Sequence, residues 1–115
     1  MEGWLEKQGH TFKTWKRRWV VLEQESELVF NLSYYVDETR KNKKGEFKIA
    51  LDSVVTNIED GYTGGRGNLF ALQAEGTSNK SYLLMSASTE ESKNSWILAL
   101  EGAIDLLREK VESQW

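Results

Sequence analysis

The spacing of apolar residues changes once along this chain, and that change limits the fold more than any other feature. Through about residue 86 the apolar positions come in short alternating runs; from Thr89 onward Trp96, Leu100, Ala103, Ile104, Leu107 and Val111 recur at steps of mostly three and four. Alternation puts side chains on opposite faces of a strand, whereas steps of three and four line one face of a helix. The sequence therefore predicts about seven strands followed by one amphipathic helix. The strand readings are residues 3–7, 16–23, a run in which Leu28, Phe30, Leu32 and Tyr34 alternate with Val29, Asn31, Ser33 and Tyr35, then 47–51, 54–58, and a final hairpin of 69–72 and 82–85. Residues 24–27 read as a polar turn, 37–45 as a charged loop and 61–67 as a glycine-rich loop. Ser88, with Glu91 three residues later, has the spacing of a capping box at the start of the helix.

A chain of 115 residues is long enough to bury one core, and we expect a single domain over 1–115, with strands over about 1–86 and the helix over about 89–113. The absence of cysteine excludes disulfides, thiolate metal sites and thiol nucleophiles, and suits a reducing compartment. No apolar run approaches the roughly 20 residues of a membrane span, and residues 1–20 lack the apolar segment of a secretory signal. The expected location is thus the cytoplasm. With one histidine and no carboxylate pair at a suggestive spacing, no nucleophile–base pair or metal set assembles, so the expectation is a binding module that uses no cofactor rather than an enzyme. Residues 61–67 lack the Gly-Lys-Ser/Thr ending of a nucleotide-binding loop and read as a turn.

The charge is unevenly distributed. The formal net charge is -3, yet residues 1–50 carry 10 basic against 8 acidic side chains (+2) and residues 51–115 carry 5 against 10 (-5). Residues 7–19 hold five cations, Lys7, Lys13, Lys16, Arg17 and Arg18, and no acid. Parity along the strand puts Lys16 and Arg18 on the side of Val20 and Leu22, and Lys7 on the side of Leu5, so three cations face the core side at one end of the sheet. Burying a cation is costly unless an anion meets it. The segment reads as a preformed anion site, and overall acidity argues against nonspecific nucleic-acid binding.

These residues also carry a resemblance. Gly3, Trp4, Leu5 and Lys7; Lys13 through Leu22 with Trp15 and Trp19; Leu32 to Tyr35; Gly45, Phe47 and Ile49; and a closing helix with Trp96 together resemble the pleckstrin homology domain across nearly the whole chain. The basic loop is most similar to members that bind 3-phosphorylated phosphoinositides, such as the cytohesin type. The resemblance implies a mainly β fold, a seven-stranded bent antiparallel barrel capped by a C-terminal α-helix, with the headgroup at the other end. It implies that Lys7, Lys16, Arg18, Tyr34 and Lys44 contact the headgroup. His10, Thr11, Lys13, Asn79 and Lys80 form a second tier, and Phe12 and Arg17 are candidates for membrane contact. Thr11 stands where cytohesins have arginine. His10 stands where members that accept a 5-phosphate have a small residue; it either narrows the pocket or, when protonated, donates to the ligand. Phe12 either dips among lipid headgroups or folds against Trp15.

Chemically, Arg18 offers a planar fork for bidentate phosphate contact, Lys7 and Lys16 act as adjustable point charges, and backbone N–H groups of the loop from Gly9 to Thr14 can form an anion nest. Lys13, Arg17 and Lys41 through Lys44 add diffuse attraction to an anionic leaflet. Trp19 and Trp96 read as structural. The leading expectation is a monomeric module that recognises a 3,4,5-trisphosphate or 3,4-bisphosphate headgroup and is recruited to the plasma membrane. The alternative is a protein-interaction module of the same fold, whose acidic second half suits a basic partner.

Overall fold

The computed structural model describes residues 1–9, 13–59, 66–74 and 82–113. Seven strands precede one helix: β1 (Glu2–Gln8), β2 (Trp15–Ser26), β3 (Val29–Tyr35), β4 (Lys43–Ile49), β5 (Ser53–Asn57), β6 (Leu69–Ala74), β7 (Tyr82–Ser86) and α1 (Glu90–Glu112). The strands form one antiparallel sheet in the order β4-β3-β2-β1-β7-β6-β5. Seven strands laid flat would spread over roughly 29 Å at the usual spacing of about 4.8 Å. Yet Leu5, Val20, Leu32, Phe47, Phe70, Leu72 and Met85, drawn from β1, β2, β3, β4, β6 and β7, share one core with Trp96, Leu100, Ile104 and Leu107 of α1. The sheet must therefore bend around that core, with α1 packed against it.

The apolar face of each element is the one its periodicity marks. Leu32, Ile49, Phe70 and Leu100 are fully buried and Trp96 is 2% exposed. β6 differs from its neighbours because both faces are covered. Phe70 and Leu72 enter the main core, while Leu69 and Ala71 join Leu84 in a smaller cluster lined by Trp15 and Ile58. That explains why residues 69–72 read as a continuous apolar run rather than an alternation.

Three boundaries differ from the sequence reading. β2 continues through Gln24, Glu25 and Ser26, and the turn is a two-residue connection at Glu27 and Leu28; a register shift between Gln24 and Ser26 leaves Leu28 39% exposed. Such an irregularity changes which face follows, and composition does not reveal it. Lys43, Lys44 and Gly45, expected in the charged loop, begin β4, where Lys43 and Gly45 pair with β3. An edge strand accepts charged side chains because its outer side faces water. The helix cap is Thr89, not Ser88: its backbone is extended (φ -138, ψ 161) and its hydroxyl accepts the Ser92 N–H at 3.0 Å. The capping-box reading of Ser88 and Glu91 was therefore one residue early, and Ser92 rather than an acid occupies the third helical position.

Candidate anion-binding site

Cross-strand register decides which side chains share a face, because directly opposed residues lie on the same side of a sheet. In β1 and β2 the pairs are Gly3 with Val20, Leu5 with Arg18 and Lys7 with Lys16. Leu5 and Val20 are buried in the core. The inward face thus runs from core residues to three cations over a few residues of each strand, as parity predicted. On the same face of β3, Tyr34 opposes Val20, and on β4 Gly45 opposes Tyr34. The Lys7 ammonium lies 4.8 Å from the centre of the Tyr34 ring, a cation–π contact.

Gly45 makes that contact possible. A Cβ at this position would sit 2.5 Å from the Tyr34 hydroxyl and 2.7 and 2.8 Å from ring carbons. No real side chain tolerates such approaches, so the Tyr34 ring lies in space that only glycine leaves open. The sequence marks Gly45 as part of a motif but does not show which partner requires it. The register also shifts between Tyr34 and Tyr35, so that Lys44 is the extra residue of a bulge. Lys44 is exposed there.

Electrostatics set this cluster apart. Four other cations are matched by carboxylates: Arg40 reaches Glu2 at 2.9 Å and Glu23 at 2.8 Å, Lys48 reaches Glu25 at 2.9 Å and Glu46 at 3.1 Å, Lys43 pairs with Glu46, and Arg66 pairs with Glu6 at 2.8 Å. Among the described residues, no carboxylate comes within ion-pair distance of Lys7, Lys16, Arg18 or Lys44. Burial, reinforced by the Arg18 charge, holds Lys7 below the ordinary lysine pKa. Burial raises the Tyr34 phenol above its usual value. Tyr34 is thus a neutral O–H donor at physiological pH. Like charges directly opposed on a sheet cost about 0.2–1 kcal/mol, so the fold carries an electrostatic strain at this end that an anion would relieve.

The remaining expected site residues fall differently. Lys16 is exposed and Arg18 half-buried, with one Arg18 guanidinium N–H donating to the Arg17 carbonyl at 3.0 Å. Lys13 is exposed just before β2. Arg17, expected at a membrane surface, lies on the opposite face, its guanidinium 4.1 Å from the Trp4 ring centre, where Trp4 meets Trp19 edge-on at 5.3 Å. Trp19 is structural on this outer face rather than in the core, and its indole N–H donates to Glu2 at 2.9 Å. The expected nest loses one donor, since the Gly9 N–H is bound to the Thr14 carbonyl at 3.0 Å. His10, Thr11, Phe12, Asn79 and Lys80 lie outside the described residues. Sequence reasoning missed Arg40, whose positive φ of 59° and two carboxylate partners tie the β3–β4 connection to β1 and β2.

Comparison with known proteins agrees with this architecture. Switch-associated protein 70 of Gallus gallus is 34% identical over 107 residues, which cover 93% of this chain and 16% of that protein. Pleckstrin of Rattus norvegicus is 28% identical over 103 residues, covering 90% of this chain and 27% of that protein. The chain therefore spans a small fraction of the curated relatives it matches. Among solved structures, the C-terminal PH domain of pleckstrin in complex with D-myo-Ins(1,2,3,5,6)P5 aligns with a TM-score of 0.71 at 28% identity, covering 90% of this chain and 93% of that one. Residues 1–105 match the PH domain family, and with the sheet and helix described above the chain belongs to it.

Proposed function

We propose that this PH domain binds the multiply phosphorylated inositol headgroup of a membrane lipid at the Lys7, Lys16 and Arg18 end of the sheet, and that this binding brings the protein carrying it to the plasma membrane. The observation that carries the reading is the set of three inward-facing cations without a carboxylate partner among the described residues. The pleckstrin domain solved with an inositol pentakisphosphate supports it by similarity. In the finer form of the proposal the headgroup bears a 3-phosphate, as the arrangement of the basic loop suggests.

The chemistry follows from the residue types. Arg18 presents two parallel N–H groups to one phosphate, and Lys7 and Lys16, opposed across the strands, bracket a second. Tyr34 donates its O–H from beneath Lys7. Hydrogen bonds to charged groups contribute about 1.5–3 kcal/mol each. Four give about 6–12 kcal/mol, which after an association cost of at least about 4 kcal/mol leaves up to about micromolar binding. Lys13, Lys41 and Lys44 would add roughly 1 kcal/mol per charge close to an anionic leaflet.

Calorimetry with soluble inositol phosphates that differ only in the 3-phosphate, paired with liposome flotation, tests both levels of the proposal. Saturable binding that disappears in Lys16→Ala/Arg18→Ala supports the site. Equal affinity with and without the 3-phosphate would remove the finer form, and no binding to any inositol phosphate or anionic liposome would remove the whole reading.

A further inference from the structure

The two ends of the sheet are guarded very differently. β4 at one end carries Lys43, Lys44, Glu46 and Lys48 and a bulge at Lys44. Charges and bulges are how natural sheets prevent another strand from adding to an edge. β5 at the other end reads Ser53, Val54, Val55, Thr56 and Asn57, with no charge, no proline and an unshifted register against β6. Among the described residues β6 is its only strand partner, so one row of β5 backbone groups has no strand to pair with. Val54 is 39% exposed, and Leu51, just before the strand, is 41% exposed.

Beside this edge lies a groove. A cavity of about 270 Å³ separates β5 from α1 and is lined by Val54, Val55 and Ile104, with Glu101, Asp105 and Arg108 on its helical side. Asp105 meets Arg108 at 3.6 Å, while Glu101 has no ion-pair partner among the described residues. Over its whole length α1 holds six acids, Glu90, Glu91, Glu101, Asp105, Glu109 and Glu112, against Lys93, Arg108 and Lys110. Lys93 is turned inward, its ammonium donating to the Ile58 carbonyl at 3.1 Å. The helical wall of the groove is therefore acidic, its floor apolar, and its far wall a strand edge.

We propose that the β5 edge and the groove beside α1 form a second binding site, for an extended basic peptide of a partner protein that adds to the sheet next to β5. Main-chain hydrogen bonds to β5 supply affinity in this mode of recognition, and alternate side chains supply selectivity. Val55 and Val54 point to opposite faces of the sheet, so side chains on the inner face of the added strand rest on Val55 and Ile104, and those on its outer face lie beside Val54. A lysine or arginine on that segment meets Glu101. The site shares no residue with the anion-binding end, so both ligands can be held together.

The test uses the isotope-labelled domain and a synthetic ten-residue peptide in which valine or threonine alternates with lysine. The expected result is a dissociation constant on the order of 100 µM, chemical-shift changes over residues 53–57 and at Glu101 and Asp105, and slowed hydrogen exchange of β5 amides. Glu101→Lys should weaken binding about three- to tenfold, in the range of a reversed exposed ion pair. Arg18→Ala should leave it unchanged, and a peptide N-methylated at alternate residues should not bind. Shifts confined to other surfaces, or equal binding of the methylated peptide, would overturn the proposal. So would β5 protection that grows with protein concentration in the absence of peptide, because the edge would then serve a second copy of the chain.

Discussion

Replacing Arg18 with alanine separates binding from folding, because the proposed site gives the side chain a favourable part in binding while its neighbours make it unfavourable for folding. Arg18 opposes Leu5 on the inward face, adds to the depression of the Lys7 pKa, and among the described residues makes one side-chain hydrogen bond, to the neighbouring Arg17 carbonyl. If Arg18 holds a phosphate as proposed, its removal deletes two charge-assisted hydrogen bonds at about 1.5–3 kcal/mol each, so affinity for a soluble inositol tetrakisphosphate should fall at least about a hundredfold. Folding should respond in the other direction. Arg18 lies diagonal to Lys7 rather than opposite it, so relief of their repulsion is worth at most the roughly 0.2–1 kcal/mol of a directly opposed pair, partly offset by the lost exposed hydrogen bond, which belongs at the low end of about 0.5–1.5 kcal/mol. The variant should therefore be as stable as the parent or more so, with an unfolding midpoint raised by no more than about 5 °C. Calorimetric titration and thermal unfolding in the same low-salt buffer measure both quantities. Unchanged affinity would refute the site, and a midpoint lowered by more than about 5 °C would refute the view that these cations strain the fold.

Gly45→Ala should displace the Tyr34 ring from Lys7, lowering inositol phosphate affinity, while the same change in a Tyr34→Ala background should have little effect; a double-mutant cycle reads the coupling. Lys7 is held below its ordinary value of 10.5, so the unfolded chain binds more protons just under that pH and stability should rise as pH climbs through the window between the folded and ordinary values; denaturant midpoints should show the rise, and Arg18→Ala should lessen it in part, since burial is the larger cause. Tyr34 acts oppositely, since its folded pKa lies above 10.0: from about pH 10 upward the unfolded chain gives up this proton first, and stability falls until the folded value is reached. Thr89→Ala should cost about 1 kcal/mol of stability and Ser88→Ala close to none, measured by chemical denaturation. Trp96→Ala, at a 2% exposed core position, should cost about 3–5 kcal/mol and leave little folded protein.

Strand parity and helical period were legible because burial enforces them: a one-residue slip would have put Val20 and Leu32 in water. The same parity placed Lys7, Lys16 and Arg18 on one face without any knowledge of the fold. Features that depend on backbone irregularity were not legible. The register shift near Gln24 moved Leu28 into a turn, and the bulge at Lys44 drew charged residues into β4. Thr89 and Ser88 are both competent caps, and only the entry angle of the chain chooses between them. Tertiary partnerships such as Arg40 with Glu2, 38 residues away, leave no local trace.

Segregation of charge by face explains how an acidic chain can present a cationic mouth. In β1 to β4 the inward positions are Gly3, Leu5 and Lys7; Lys16, Arg18, Val20 and Leu22; Phe30, Leu32 and Tyr34; and Gly45, Phe47 and Ile49, and none is an acid. Glu2, Glu6, Glu23 and Glu46 take the alternate positions, and each is engaged on the outer face by Arg40, Arg66, Lys43 or Lys48. These four acids of β1 to β4 are thus on the side of the sheet away from the mouth and already partnered. One alternation accordingly does three things: it builds the core, carries its face outward to three cations, and keeps their counter-charges away. Net charge, the coarsest property of the sequence, therefore says little about what this end of the domain can bind, whereas the parity of single residues along β1 and β2 says a great deal.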